Sequence, residues 1–343
     1  MITFILPIRN EEHFITKTLD SILSQSDDNV EIIIADGLST DGTREIIQSF
    51  QESNHNIQLI DNPEKIVSTG FNRALTMAKG DIIIRVDGHS EIAPNYINRC
   101  ITQLQNINAD CVGGATDHIA LGVIGQSINL GQSSKFGAGG VPFREGVDKG
   151  RYVDTLAFGA YKREVFEKFG GYDEELVRNQ DDEFNFRLIQ NGGEIWLDPS
   201  IKSKYFARNS FIKLFKQYFQ YGFYKIRVMQ KRRAFASWRH LVPGIFVLSL
   251  FVGLFLCFIN NSPTLITIIG VPYVLLSLIF SIAELFKSPK HVFSIIFLPF
   301  TYFILHFSYG LGFLLGILYY WNKWNNTEVK DAHFDKVLFL ENA

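Results

Sequence analysis

The sequence predicts an α/β domain with a mostly parallel sheet, followed by an all-α transmembrane region. Two observations lead to this expectation. In the first part of the chain, short β-branched runs alternate with amphipathic stretches. After Trp238 the composition becomes strongly apolar. Stretches of about 20 apolar residues there are long enough to cross a bilayer.

Four short runs within the first 115 residues are typical of strands buried on both faces of a parallel sheet. They are ITFILP at 2–7, EIIIA at 31–35, IQLI at 57–60 and DIIIRV at 81–86. The stretches between them predict helices at Glu12–Ser24, Thr43–Gln51 and Ser68–Ala78. This alternation indicates an open, doubly wound sheet that binds ligands beyond the carboxyl ends of its strands.

The region from 116 to 200 is less regular and is interpreted as the substrate-shaping half of the same domain, which would extend over residues 1–200. It contains the glycine-rich run KFGAGG at 135–140. Helices are predicted at Lys162–Phe169 and Asp181–Gln190. We expect residues 1–115 to bind the donor and residues 116–200 to shape the acceptor side.

A basic and aromatic segment follows, with eleven Lys or Arg residues and no acid between Lys202 and Arg239. Tyr and Phe side chains are interleaved with the basic ones. This pattern at 201–240 favours one or two helices lying on an anionic membrane surface. Nucleic-acid binding is not expected, because apolar stretches begin immediately afterwards and the formal net charge of the chain is only −2.

Three apolar stretches are predicted to be membrane-embedded, at Leu241–Ile259, Thr264–Phe286 and Val292–Tyr320. The third is too long for one upright helix and contains Pro299, so it is either one tilted span or two shorter segments. Basic residues before Leu241 and in the second loop favour a cytosolic location for the first 240 residues. Residues 321–343 are expected to form a polar tail.

Polar residues follow the first two predicted strands. The run PIRNEE at 7–12 is by itself an ordinary strand-to-helix turn, but it lies where the first strand ends, which is where a nucleotide base binds in such sheets. Asp36 comes directly after the second strand, within ADGLSTDGT, and its carboxylate can accept hydrogen bonds from a uracil N–H or a ribose hydroxyl. Ser39, Thr40 and Asp41 are better explained as a turn that caps the next helix.

Asp87, Gly88 and His89 follow the strand at 81–86. Gly88 allows the backbone to approach a ligand closely. Carboxylate and imidazole ligands together suit Mn²⁺, or Mg²⁺ with His89 outside the ligand set. A divalent cation there would bridge two phosphates of a donor and stabilise the departing nucleotide.

Asp181 and Asp182 open a predicted helix in the run NQDDEF. Acids at a helix N-terminus are also favoured by the helix dipole, so capping alone explains them. The functional interpretation is a general base that deprotonates an acceptor hydroxyl. Periodicity does not separate the two residues.

Taken together, the ordered motifs PIRNE, ADGLSTDGT, GDIIIRVDGH and GGYDE…NQDDEFNFRL resemble family-2 glycosyltransferases. The similarity covers about residues 2–240. It is greatest to the succinoglycan-type subset, which shares the D-x-H motif, the F-G-x-G loop and Q-Y-x-x-Y-G at 217–222.

The resemblance implies a GT-A fold and inversion by direct displacement. It places Pro7, Arg9, Glu11 and Asp36 in the nucleoside pocket, Asp87 and His89 at the metal and diphosphate, and Asp181 as the base. Gly88 would lie on the donor side, and Gly137, Gly139 and Asp182 on the acceptor side. The chain departs from the usual D-x-D at His89, from D-D-G-S at Gly37 and from E-D at Gln180.

The predicted function is transfer of one hexose from a nucleotide diphosphate sugar, UDP-sugar favoured, to a lipid-linked saccharide at the cytosolic membrane face. A processive polysaccharide synthase is the first alternative, but the Q-x-x-R-W motif of such enzymes is absent from the sequence. A membrane scaffold or transporter with a degenerate nucleotide-binding domain is the second. It is disfavoured because the nucleoside acid, the metal position and the base are all present.

Overall fold

The computed structural model describes residues 1–26, 28–139, 148–207, 209–234 and 238–342. The chain folds into two compact units. The first comprises 1–117, 142–206 and 328–343, and the second comprises 118–141 and 207–327. This division differs from the expected one, because 118–141 belongs to the second unit and the C-terminal tail to the first.

The described strands form one mixed sheet in the first unit, with the order β3-β2-β1-β4-β8-β6-β9-β5, and β7 pairs with β9. The strands are β1 Ile2–Ile8, β2 Val30–Asp36, β3 Ile57–Asp61, β4 Ile82–Arg85, β5 Ser90–Ile92, β6 Cys111–Ile119, β7 Arg151–Tyr152, β8 Ala160–Lys162 and β9 Ile195–Phe206. The first four are parallel to one another, whereas β8 pairs antiparallel to both β4 and β6. The predicted α/β class with a mostly parallel sheet is confirmed.

The described α-helices, numbered along the chain, are α1 Ile15–Leu23, α2 Thr43–Ser53, α3 Val67–Met77, α4 Tyr96–Asn106, α5 Gly122–Ser133, α6 Arg163–Phe169, α7 Gln180–Gln190, α8 Phe211–Arg232, α9 Val242–Asn260, α10 Thr264–Lys287, α11 Val292–Ile296, α12 Leu298–Tyr319 and α13 Lys336–Glu341. Short 3₁₀-helices lie at Trp238–His240 and Pro289–His291. Helices α1, α2, α3, α6 and α7 match the predicted positions to within a few residues, whereas α4 was not predicted.

The sheet is covered on both faces, as the continuous apolar runs of β1 and β2 require. Phe4 and Ile34 point to a core that includes Leu19 of α1. Ile5 and Ile33 point to the opposite core, which includes Phe71 of α3. Every residue of β1 and β2 is buried. This double layer holds the carboxyl ends of β1, β2 and β4 side by side.

The C-terminal tail, expected to be polar, contributes apolar side chains to the core of the first unit. Phe339 of α13 is fully buried and Phe334 is 8% exposed. The Arg163 guanidinium lies 3.7 Å above the Phe339 ring, and it also donates to the Phe339 carbonyl. His333 contacts Glu174 through Nδ1 at 2.8 Å.

The second unit is helical in its described part. Three helices are long and apolar enough to cross a membrane, at 238–260, 264–287 and 298–319. These helices indicate a membrane protein and confirm the predicted all-α apolar region. The third predicted stretch is two helices, because the chain breaks at Phe297 and Pro299 occupies the first turn of α12, where proline fits.

The segment 201–240 was predicted to form interfacial helices, but its first residues form a β-strand instead. Residues 202–206 continue strand β9, where Ser203 pairs with Ile92 and Tyr205 with Ser90. Only α8 and the short helix at Trp238–His240 are helical. Residues 208 and 235–237 of that segment, and Gly140 of the glycine-rich run, lie outside the described residues.

Candidate functional site

Two loops at the carboxyl ends of β1 and β2 are tied together by hydrogen bonds. Asn10 has a left-handed φ of 57°. Its backbone N–H donates to Ser39 Oγ at 2.8 Å, and its side-chain oxygen accepts from the Thr40 N–H at 2.9 Å. The backbone N–H of Glu11 donates to Thr43 Oγ1 at 2.8 Å. The loops therefore form one continuous rim beside the strand ends.

Pro7 and Arg9 flank this rim. Pro7 is buried in β1 opposite Ala35, so it contributes shape rather than a polar group. Arg9 is exposed, and its side chain lies against Gly37, where an added Cβ would stand 3.2 Å from both Arg9 Cβ and Cδ. A side chain at position 37 would crowd Arg9 and the Ile8 carbonyl oxygen, which favours a small residue there.

Asp36 is fully buried at the end of β2 and is held by three donors. Ser39 donates through its backbone N–H at 3.0 Å and through its hydroxyl. Arg44 donates through Nη1 at 2.7 Å and also contacts Asp61 at 2.8 Å. Hydrogen bonds to Asp61 and Asp36 raise the pKa of Arg44. The buried charge of Asp36 is thus compensated within the protein.

Arg85, the last residue of β4, connects the two other predicted acids. Its Nη2 donates to Asp87 Oδ1 at 2.7 Å, and its Nη1 donates to Asp181 Oδ2 at 3.1 Å. The guanidinium side chain is 13% exposed, whereas Asp87 is 23% and Asp181 40% exposed. The sheet edge therefore brings Asp87 and Asp181 to a single cation, and both carboxylates remain accessible to solvent.

The electrostatics of this group favour a charged Asp87. Burial raises the pKa of Asp87, but the charge of Arg85, its hydrogen bond and the neighbouring His89 lower it by more, so the pKa lies below the ordinary value of 3.8. The pKa of Tyr172 is raised by burial despite the nearby Arg85. Asp87 is consequently ionised at neutral pH.

His89 is oriented by Glu11, whose Oε1 lies 2.8 Å from Nδ1 of the imidazole ring. The ring also makes an edge contact with Tyr205, at a centroid distance of 4.7 Å. There is no room for a side chain at Gly88, the residue between Asp87 and His89. A Cβ at this position would lie 2.8 Å from Glu11 Cγ and 2.9 Å from Ile8 Cγ2. Among the described residues, no group of three or more His, Cys, Asp and Glu side chains is arranged to hold a metal ion.

The three acids that open α7 have different surroundings. Asp181 contacts Arg85, and its Oδ1 accepts from the Asp182 backbone N–H at 2.9 Å. Asp182 is half-buried. Glu183 is fully buried and pairs with Arg187 at 3.1 Å, one turn along the helix. The contact with Arg85 distinguishes Asp181 from Asp182, which the sequence pattern does not.

Gly137 and Gly139 belong to the second unit and are described within it. A Cβ at Gly137 would meet the Gly131 carbonyl oxygen at 1.9 Å, and Gly139 has a φ of +76°, so both positions favour glycine. The carbonyl oxygens of Phe136 and Gly137 lie 2.7 and 3.1 Å from Nε2 of His306. This loop is anchored to α12.

Two site residues were not predicted from the sequence: Arg85 and Arg44. Arg85 carried a signal, because it is a charged residue at the end of an otherwise apolar strand, IIIR. Arg44 carried none, since a basic residue in the first turns of a surface helix is ordinary.

Asp36 and Asp87 lie at the carboxyl ends of the parallel strands, with Asp181 close to Asp87, which is where open α/β sheets bind their ligands. The model of the family described as Glycosyl transferase family 2 matches residues 3–169. The chain is 31% identical over 242 residues to Succinoglycan biosynthesis protein ExoA of Rhizobium meliloti (strain 1021), covering 70% of this chain and 73% of that protein. The chain therefore belongs to glycosyltransferase family 2, and it is a glycosyltransferase.

Two further relatives span nearly the whole chain. One is a dolichyl N-acetyl-alpha-D-glucosaminyl phosphate 3-beta-D-2,3-diacetamido-2,3-dideoxy-beta-D-glucuronosyltransferase of Methanococcus voltae, 28% identical over 328 residues, 92% of this chain and 97% of that protein. The other is the solved structure of mannosyltransferase PcManGT from Pyrobaculum calidifontis in complex with GDP-Man and Mn²⁺. It superposes with a TM-score of 0.60 at 15% identity, covering 91% of this chain and 86% of that one. The fold is accordingly GT-A.

Proposed function

We propose that the protein is an inverting, metal-dependent glycosyltransferase that moves a hexose from a nucleotide diphosphate sugar to a lipid-linked saccharide at the cytosolic membrane face. The observation that carries the proposal is the double contact of Arg85 with Asp87 and Asp181. One guanidinium fixes a donor-side carboxylate and an acceptor-side carboxylate relative to each other. A displacement reaction needs that arrangement, because donor and acceptor must meet in line.

On the donor side, Asp87 and His89 would hold a divalent cation, Mn²⁺ or Mg²⁺. The donor set fits such a group, because the His89 ring is oriented by the Glu11 carboxylate, a partner that metal-binding histidines commonly have. When bound, the cation neutralises charge that develops on the departing nucleotide. The rim residues Arg9 and Glu11 would contact the nucleoside, and the buried Asp36, predicted to bind it directly, would instead hold the rim through Ser39.

On the acceptor side, Asp181 would act as general base. As the acceptor hydroxyl oxygen bonds to the anomeric carbon, the bond between that carbon and the diphosphate oxygen breaks. The electron pair leaves with the nucleoside diphosphate, and the hydroxyl proton passes to Asp181. A single displacement of this kind inverts the anomeric configuration. Asp181 is accessible to an acceptor, whereas Glu183 is buried and already paired.

The substrate classes are supported by the relatives. The name of the Methanococcus voltae relative specifies an acceptor linked to dolichyl phosphate, which supports a lipid-linked acceptor for this chain. The PcManGT structure contains a nucleotide sugar and Mn²⁺. UDP-sugar is favoured by the resemblance to the succinoglycan-type subset. Basic residues before α9 support a cytosolic catalytic unit.

The test is a donor screen with purified full-length protein, divalent metal and a membrane-lipid extract, in which release of nucleoside diphosphate is followed. With the donor that reacts, Asp181→Asn should lower kcat by about 10²- to 10⁴-fold, the usual contribution of a general base. Asp182→Asn is the matched control and should retain most activity. Full activity of Asp181→Asn would contradict the proposed base.

A further inference from the structure

The C-terminal tail is part of the catalytic unit, and this constrains how the chain passes through a membrane. The Lys330 carbonyl accepts from the Glu174 backbone N–H at 2.6 Å. The Asp335 N–H donates to Thr76 Oγ1 at 2.9 Å, and the Asn342 side chain donates to the Thr76 carbonyl at 3.1 Å. Together with the buried Phe339, these contacts fix the tail on the same folded unit as residues 1–117.

The tail therefore lies on the same side of the membrane as the catalytic unit. Among the described residues between Phe206 and Glu328, three helices are both long and apolar enough to cross. Three crossings would place the tail on the opposite side. The segment 321–327, WNKWNNT, offers no return path, because polar non-helical backbone is not stable in lipid. The number of crossings must be even.

Helix α12 differs from the other two apolar helices in its packing. Half of its most apolar window is buried within the protein, against 17% for 238–260 and 11% for α10. Its mean hydropathy is also lower, at 1.5 against 2.6 and 2.4. Helices α9 and α10 thus present most of their apolar surface outward, as lipid-facing helices do, whereas much of α12 packs against protein.

Helix α12 packs against the first turns of α9, where a Cβ at Gly310 would lie 2.1 Å from the Pro243 carbonyl oxygen, and against the basic helix α8, beside which it runs in the same direction. Phe211 lies 5.1 Å from Phe300 near the two starts, and Phe223, in the middle of α8, lies 5.4 Å from Tyr319 at the end of α12. Glycines permit close backbone contact between these points. A Cβ at Gly312 would lie 2.0 Å from the Phe219 carbonyl oxygen, and one at Gly222 would lie 2.0 Å from that of Tyr309. Helix α12 must therefore lie at the same depth as α8.

Helix α8 is unable to cross a bilayer. Its uncharged interval runs only from Gln217 to Tyr224, between Lys216 and Lys225. Eight helical residues cover about 12 Å, whereas the hydrocarbon core is about 30 Å thick. A crossing would place at least Lys213 and Lys216 in lipid, whereas Lys225, Arg227 and Lys231 are buried within the protein. Lys213 and Lys216 are exposed, as expected for a helix whose basic residues reach phosphate headgroups.

We propose that the α9–α10 hairpin alone crosses the membrane, and that α8 and α12 form a pair that lies in the bilayer surface on the side of the catalytic unit. The partner of this pair is an anionic lipid surface. Apolar side chains such as Phe300, 53% exposed, and Leu318, 71% exposed, enter the acyl boundary. Two crossings return the chain to its starting side, which agrees with the position of the tail.

The experiment is cysteine labelling of the full-length protein in sealed vesicles of each orientation, with a membrane-impermeant maleimide. The background is Cys257→Ser, because the other two cysteines are buried. Single cysteines replace exposed residues in the catalytic unit, the α9–α10 turn, the loop after α10 and the segment after α12. They are Ser53→Cys, Ser262→Cys, Lys290→Cys and Asn325→Cys.

Ser53→Cys, Lys290→Cys and Asn325→Cys should be labelled in the same vesicle orientation, and Ser262→Cys only in the other. Equal labelling of all four variants after detergent treatment controls for intrinsic reactivity. Labelling of Asn325→Cys opposite to Ser53→Cys would make α12 a span and overturn the proposal. Ser262→Cys on the same side as Ser53→Cys would overturn it as well, since the hairpin would not cross. No turnover is measured, so the result is independent of the proposed activity.

Discussion

Asp36 and Asp87 lie at the same edge of the sheet, at the ends of β2 and β4 on either side of β1, yet their environments are opposite. Asp36 is fully buried, and its partners Ser39 and Arg44 lie within the next eight residues. Asp87 is 23% exposed and shares its cation with Asp181, which is distant in sequence. Asp36 is held by residues that follow it closely in the chain, whereas Asp87 is linked through Arg85 to Asp181 on the other side of the site. We therefore expect substitution of Asp87 to affect mainly catalysis and substitution of Asp36 to affect mainly stability and donor binding.

The largest effect is expected for Asp87→Ala. Charge stabilisation by a bound cation is worth several kcal/mol, so its loss should lower kcat about 10³-fold. Tm should change little, because Arg85 retains Asp181 as a partner. Initial rates and thermal unfolding check this, with Glu52→Ala, an exposed acid on α2, as the control. Unchanged turnover after metal removal by EDTA would contradict the metal role.

Arg85→Met should affect both stability and activity. Removing one partner of a buried ion pair costs about 3–5 kcal/mol, but both carboxylates here are partly accessible to solvent, so we expect a cost of about 1–3 kcal/mol. The free energy of unfolding, measured with denaturant, should fall by about that amount, and turnover should fall with it. Arg85→Lys retains the charge but not the two-pronged geometry, so it should recover stability better than activity. A fully stable Arg85→Met would show that the two acids are held by other contacts.

Asp36→Asn should act mainly on stability and on donor binding. Hydrogen bonds to a charged group contribute about 1.5–3 kcal/mol, and Arg44 would keep only Asp61 as an ionic partner. The expected result is a lower free energy of unfolding and a raised KM for the donor, with kcat less affected than in Asp87→Ala. A kcat loss as large as that of Asp87→Ala would remove the distinction between the two acids.

The smallest effect concerns pH. The pKa of Asp87 is lowered on folding, so its ionised form favours the folded state. That contribution is complete above the ordinary value of 3.8 and is lost as the pH falls through the lower folded value. The free energy of unfolding should therefore decline more steeply with acid in the wild type than in Asp87→Asn. Parallel pH profiles for the two proteins would contradict this.

Much of the fold follows from local pattern. Strands β1 to β4 and the helices between them were predicted because their residues are apolar on both faces and their turns carry Gly and Asp signals. Strand β8, only Ala160–Lys162, is too short to give a pattern, although it joins β4 to β6. The end of β9 carries Lys202 and Lys204 on a solvent-facing side of the strand, which made it resemble a basic helix.

The sequence predicted the acidic residues of the site but not the arginines that form ion pairs with them. Asp36, Asp87 and Asp181 were identified because each follows a strand or opens a helix. Their pairing with Arg44 and Arg85 depends on tertiary structure, since Arg85 and Asp181 are 96 residues apart. The tail was missed for a related reason. Phe334 is a single apolar residue among charged ones, and the apolar run VLFL at 337–340 is too short to predict where Phe339 packs.

The position of α13 has a practical consequence for isolating the catalytic unit. A soluble fragment ending at residue 206 would lack part of its own core, because Phe339 packs with the cluster that includes Phe71 and Phe166. That fragment would expose apolar surface, which favours aggregation. An active soluble enzyme is better sought by replacing residues 207–327 with a flexible linker, so that residues 328–343 still complete the fold.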